Sequence, residues 1–545
     1  MVQSLRLLVS AALGAGLAIA PASCRTAVPR DDAPPAAEDE GPDSPDDLAV
    51  LSGESAGADD DASPRRGSDP DLVRAVRDGD AERSASLLRA GADPDEPGEF
   101  GRTALMHASA AGRADLVRLL LDAGADPAGS DGSGNTALFF HPPEDDPGIL
   151  DLLASRGAGV RAANRAGATP LMGAALRGHE RIAERLLSLG AEPDARTAAG
   201  RTALVEAVLH DRPRVAAILL RAGAEPNPVL TKTGESLLHL AARDGRTRGV
   251  LLLLDAGANP DAPLRPPGHP PGETPLLPAV RAGHLETVRA LLDRGADAGR
   301  PGAAGLTALQ EAARAGRLEM ATLLLDRGAD ADATGDDDTR STALTLAAMG
   351  GHAPLARLLL GRGARVDARN RQRITPLMFA AYHGHLDVAQ ILLDAGADAG
   401  AENRDGNTAL VFAVIRDHGD VARALLEKGA SPEARARVRS LGDVTPLMIA
   451  VLRGQEATAE TLLAHGAAVD SACDLEDGGR VTPLCAAARR NDLELAALLL
   501  DHGADRSIRD RDGLTPLERA RSEDRFEMAA LLESARPTRE PRRKR

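Results

Sequence analysis

Eight arginines of this chain stand in one recurring slot. Arg177, Arg243, Arg281, Arg314, Arg416, Arg453, Arg489 and Arg490 each lie seven or eight residues after a Thr or Ser, and in one further copy the slot holds Tyr382 and His383. A guanidinium is a rigid fork of donors that matches carboxylates and phosphates. An aromatic side chain is the type that most often carries interface energy. The chemistry on offer is recognition, and an acidic protein segment is the partner it suits. The competing reading is internal neutralisation, with each arginine paired to an Asp of a loop, because charged surfaces are often merely solvated.

Other reactive types give less. His179, His284, His352 and His385 each follow a Gly and recur because that Gly recurs. They read as structural caps and not as metal ligands. Asp336, Asp337 and Asp338 are adjacent carboxylates, suited to weak cation binding or plain solvation. The three cysteines, Cys24, Cys473 and Cys485, show neither zinc spacing nor a CxxC pair. An exported chain could join Cys473 to Cys485. There is no nucleophile elbow, phosphate-binding glycine loop or HExxH pair, so no cofactor and no metal are expected. The one place for an enzyme is a proline-broken stretch at 141–147, where His141 and carboxylates are the only reactive groups.

The elements that position these residues follow from composition. At 545 residues the chain exceeds what one core can fill. Aromatics are 1% against 43% hydrophobic residues, so the interior is built from Leu, Ala, Val and Ile. A net charge of −16 opposes non-specific nucleic-acid binding. Lys232, Lys428 and Lys544 are the only lysines, and the Arg, Ala and Gly load points to a GC-rich, bacterial genome.

Residues 1–24 read as an export signal. Arg6 precedes an apolar run from Leu7 to Ala20, and small residues follow. Either Ala20-Pro21-Ala22 is a cleavage site, or Ser23-Cys24 ends a lipobox in which Cys24 is lipidated, with Pro21 as a departure from that motif. The run is too short for a membrane span. Residues 25–69 are acidic and rich in Pro, Ala and Ser, the composition of a disordered linker. Residues 536–545 form a basic tail.

Self-similarity decides the fold. Anchors recur at Thr103, Thr136, Thr169, Thr202, Ser236, Thr274, Thr307, Thr342, Thr375, Thr408, Thr445, Thr482 and Thr515. A Leu stands two and seventeen positions after each, and Gly-Ala twenty-one positions after all but the last. Each unit reads as two short helices. Thr serves as N-cap, Pro often follows in the first turn, and glycines end both helices in a left-handed cap.

The clearest copy, Ile374-Thr-Pro-Leu-Met-Phe-Ala-Ala-Tyr-His-Gly-His-Leu-Asp-Val-Ala-Gln-Ile-Leu-Leu-Asp-Ala-Gly-Ala397, resembles the ankyrin repeat. The resemblance covers residues 70–535, about 13–14 repeats with capping units at both ends. It implies an all-α solenoid of helix-turn-helix units with projecting hairpin loops, and it places the arginine slot on the concave face. The family's His three positions after Thr survives only as His239, which implies weaker bonding between repeats elsewhere.

Anchor spacing stretches after Ser236, Thr307, Thr408 and Thr445, always beyond helix two. The longer loops, Asp261–Gly272, Asp332–Arg340, Arg435–Asp443 and Asp470–Arg480, are candidate partner contacts. In the Thr136 copy, His141-Pro142-Pro143 should stop helix one near His141. The function these features imply is a protein-interaction scaffold, exported and periplasmic or attached to the cell envelope, with secretion as a variant. Its partner is a protein, and the membrane tether is lipid on Cys24. A host-delivered effector is the alternative.

Overall fold

The structure is a computed structural model that describes residues 69–231, 233–264, 272–335, 339–438, 442–475 and 479–534. The export signal, Cys24, the acidic linker through residue 68, Asp336–Asp338 and the basic tail lie outside the described residues. The helices fall into two units, one reaching Asp297 and one beginning at Ala298.

Seven helical repeats make up each unit among the described residues. A repeat takes the name of its anchor: the Thr375 repeat comprises helix one, Pro376–His383, and helix two, Leu386–Asp394. Helices of this length are marginal alone, so they persist by packing. Both framework leucines are buried in every anchored repeat but the last, where Leu517 is half-buried, and the alanine pair gives helix one a flat face, with Ala380 and Ala381 fully covered. Nine of the thirteen anchor side chains accept a hydrogen bond from the backbone N–H three residues on. Gly178, Gly283, Gly384 and Gly454 end helix one in the left-handed region. Asp211, Asp417, Asn491 and Asp524 adopt the same conformation where that glycine is replaced, with φ from 53° to 60°.

Three sets of polar contacts join successive repeats. One is a carboxylate ladder along the loops: Asp95, Asp194, Asp261, Asp332, Asp367, Glu433 and Asp470 each accept a backbone N–H of the following repeat at 2.8–3.1 Å. A second set uses the residue after the helix-one cap. His385 Nε2 meets Met349 O at 3.1 Å, His418 Nε2 meets Tyr382 O at 3.2 Å, and Gln455 Nε2 donates to Val414 O at 3.0 Å. These bonds satisfy carbonyls that a helix end leaves free. The recurring histidines stand at the N-cap position of helix two, yet His179, His284, His352 and His385 make no side-chain cap bond. Cap by position is correct; the work of His385 is a cross-repeat clasp.

The third set is at the family's His position. His239 Nδ1 meets Ser236 Oγ at 2.7 Å and Nε2 meets Glu273 O at 3.1 Å. Gln310 bridges the equivalent residues: it accepts the Thr307 backbone N–H, in place of the anchor hydroxyl, at 2.7 Å and donates to Ser341 O. That junction therefore keeps its hydrogen bond across the repeat boundary without the histidine, because a primary amide also carries an acceptor and donors.

Two inserted loops add a feature to the helical architecture. β1 (Ala436–Val438) and β2 (Gly442–Val444) form a hairpin, as do β3 (Cys473–Asp474) and β4 (Arg480–Val481). Asp443 pairs with Asp474, so the two hairpins join in one antiparallel sheet of order β1-β2-β3-β4. Cys473 and Cys485 are both buried free thiols, against the disulfide considered from sequence. The Cys473 sulfur receives the Thr445 N–H at 3.4 Å, and Cys485 lies 3.8 Å from Ile508 O.

Candidate binding surface

The arginine slot lies at the end of helix one, where two adjacent positions have different fates. At seven residues past the anchor, the arginine turns back into its own repeat. Arg243 binds Glu235 at 3.0 Å and Asp244 at 3.1 Å, Arg281 pairs with Glu273, and Arg314 binds Glu311 at 2.6 Å. The partners include the residue just before the anchor or one on helix one, not the loop aspartates expected from sequence. At eight residues in the Thr408, Thr445 and Thr482 repeats, the side chain leans onto the preceding repeat. Arg453 donates to Ile415 O at 2.6 Å, Arg490 donates to Leu452 O at 2.7 Å, and the Arg416 guanidinium lies 4.9 Å from the centre of the Tyr382 ring. Arg177 donates to Gly173 O at 3.3 Å, and Arg489 is exposed.

Tyr382 and His383 sit where several of these side chains converge. Phe412 meets the Tyr382 ring edge-on at 6.0 Å, His383 does so at 5.0 Å, and His383 stacks on His385 at 5.9 Å. Burial lowers the His383 pKa, reinforced by His385, Arg416 and His418. Burial likewise lowers that of Arg453, with Arg416 adding to it. For Arg453 the nearby Asp417 carboxylate acts in the opposite direction.

Sequence reasoning missed the position four residues past the anchor, which faces the same slot. It holds Phe412, the Glu311 that neutralises Arg314, and Glu206, whose carboxylate takes both arms of Arg201 in the interior. The signal was available, since this position varies in type from copy to copy while the next one stays Ala in all but one.

In the proline-broken copy the reactive groups serve packing and capping. Helix one is reduced to a 3-10 turn, Ala137–Phe139, ending just before the predicted stop. His141 is buried, its Nε2 lies 2.9 Å from Pro170 O, and burial pushes its pKa down to about 3. That ring is a neutral packing group, inaccessible to a substrate. The prolines also deliver Asp145 to the next repeat, where it accepts the Arg181 and Ile182 N–H groups at 2.8 and 2.9 Å and caps helix Glu180–Ser188. Among the described residues, no cluster of three or more His, Cys, Asp or Glu is placed to hold a metal ion.

With the repeat geometry in place, the model of the ankyrin-repeat family matches residues 72–141, 143–229, 238–335, 331–403, 396–473 and 447–540. The chain is an ankyrin-repeat protein. Ankyrin repeats are protein-interaction scaffolds, and this chain has that role. Among solved structures, the ankyrin repeat domain of human ASB11 is 30% identical, aligned over 42% of this chain and 99% of that one, with a TM-score of 0.36. The ankyrin repeat domain of Bcl-3, described as a member of the IkappaB protein family, is 31% identical over 42% and 99%, with a TM-score of 0.37. No curated protein sequence matches. In this ankyrin-repeat protein no described helix is long and apolar enough to cross a membrane.

Proposed function

We propose that this ankyrin scaffold holds an acidic protein partner on the helix-one face of the unit that begins at Ala298, using Arg416, Arg453, Arg489 and Arg490 with Tyr382 and His383, while Arg243, Arg281 and Arg314 are held by glutamates of their own repeats. The observation that carries this reading is the cluster around Tyr382, where cationic and aromatic groups converge and no carboxylate pairs with Arg416, Arg453 or Arg490 among the described residues. The paired hairpins between Ala436 and Val481 are a second contact region, since both exceed the usual loop length. The test is affinity recovery with the full chain as bait, against a variant in which the slot arginines become glutamate. Recovery of the same proteins by both baits eliminates the arginine face.

The cellular setting belongs to the same proposal. The apolar run before Cys24, the acidic segment after it and the arginine-rich composition support export in a bacterium, with attachment to the envelope through lipid on Cys24. Incorporation of labelled palmitate that disappears in Cys24→Ala is the expected result. Full-length protein with an intact Met1 in the cytosolic fraction would replace export with the effector reading.

A further inference from the structure

We propose that Arg416, Arg453 and Arg490 form a ladder that takes an extended acidic peptide carrying a carboxylate at every third residue. The inference rests on the acidic-partner reading and sharpens it to a ligand of defined spacing. The three arginines occupy the same position, eight residues past the anchor, in the consecutive Thr408, Thr445 and Thr482 repeats. Each leans onto the residue seven past the anchor of the repeat before it: Tyr382, Ile415 and Leu452. The tether differs between them, a ring face for Arg416 and a backbone carbonyl for Arg453 and Arg490, but the placement repeats.

A guanidinium has five N–H donors in a fixed fork. One bond to a carbonyl fixes Arg453, and one fixes Arg490, which leaves donors on each. Arg416 and Arg490 are exposed and Arg453 is half-buried. Their counterparts one position earlier, Arg243, Arg281 and Arg314, are already neutralised by glutamates. In these six copies the one-residue difference in position separates arginines paired to glutamates from arginines tethered to the preceding repeat.

Spacing then selects the ligand. Packed helices lie about 8–10 Å apart, so equivalent side chains of successive repeats recur at about that interval. A peptide in the polyproline II conformation advances about 3.1 Å per residue with three residues per turn, which brings every third side chain to the same side after about 9 Å. A β-strand presents alternate residues about 6.6 Å apart and falls out of step. Tyr382 at the first rung offers a ring on which such a peptide can pack, and proline-containing segments dock on aromatic-lined surfaces in this way.

The experiment uses the full chain and two fluorescent Pro/Ser peptides of equal composition, one with Asp at every third residue and one with the same Asp residues consecutive. The spaced peptide is expected to bind more tightly, with affinity falling as salt rises. The variant Arg416→Gln/Arg453→Gln/Arg490→Gln should weaken it about tenfold, as three exposed ion pairs together predict. Arg243→Gln/Arg281→Gln/Arg314→Gln removes equal charge and should leave binding within about twofold, because those arginines are internally paired. Thermal unfolding followed by circular dichroism confirms that both variants fold. Equal binding of the two peptides, or equal loss in the two triple variants, overturns the ladder. If neither peptide binds while the glutamate variant of the whole face still loses its protein partners, the ladder is wrong and the scaffold reading stands.

Discussion

The Glu206 carboxylate receives both arms of the Arg201 guanidinium, at 2.6 and 3.0 Å, with the two side chains 0% and 6% exposed. Arg201 precedes the anchor Thr202, and Glu206 lies on the helix that Thr202 opens, so the pair ties a hairpin to the helix it feeds. Removing one member strands the other in the interior. Glu206→Ala is expected to destabilise the Thr202 repeat by about 3–5 kcal/mol. Hydrogen exchange across residues 197–221 reads this directly, and loss of protection there with little change in the Thr375 repeat is the expected pattern, since stability in repeat arrays is nearly local. The double change Arg201→Met/Glu206→Leu should recover most of the loss, because a well-packed apolar pair avoids the desolvation of buried charge.

Asp211 ends helix Ala203–Leu209 with φ 53°, in the place where most copies have Gly. An L-residue in that region is strained by about 1–2 kcal/mol, with Asp among the less penalised types. Asp211→Gly should raise the denaturation midpoint and Asp211→Val should lower it. If both changes lower it, the carboxylate has a role that outweighs the backbone.

His418 and Gly384 are a matched pair across a repeat boundary. The His418 ring reaches Tyr382 O, and a Cβ on Gly384 would lie 2.5 Å from its Nδ1 while φ is +74°. Gly384→Ala carries two penalties, the clash and the left-handed backbone, and should cost more than His418→Ala, which loses one hydrogen bond worth about 1 kcal/mol. In Gly384→Ala/His418→Ala the clash disappears and the backbone strain stays. The double variant should therefore be less damaged than the sum of the singles, and strict additivity would show that the two residues do not touch.

Acid should loosen the Ser236 repeat. Burial pushes the His239 pKa down to about 4 from the usual 6.5. The carbonyl of Glu273 only accepts, so Nε2 carries the proton and Nδ1 accepts from Ser236. Between about pH 6.5 and 4 the unfolded chain binds the proton and the folded one does not, so stability is fully present above 6.5 and falls as pH drops through that window. The gap corresponds to about 3 kcal/mol. His239→Gln, which copies the working arrangement of Gln310, should flatten the dependence for this repeat when exchange is followed from pH 7 to 4. A slope unchanged by His239→Gln would place the titration elsewhere, with His141 next in line, its pKa about 3.

The two-helix unit, its caps and its boundaries were legible in the sequence, because they depend on local chemistry repeated at fixed offsets. Thr at an N-cap, Leu two and seventeen residues on, and Gly where the backbone turns left-handed carry the same local meaning in most copies. The insertions could be placed in the loops for the same reason, since an extra residue in a helix would rotate its buried stripe. What the offsets could not give was the destination of each polar side chain. Arg314 and Arg416 differ by one position in the slot, and only the packing of neighbouring repeats turns one towards Glu311 and the other onto Tyr382. Only packing likewise decides that His385 clasps Met349 while His239 joins Ser236 to Glu273. Sequence determined the brick, because a brick is held by contacts close in the chain. Tertiary structure decided the mortar and the open face, because those depend on side chains more than thirty residues apart arriving at the same place.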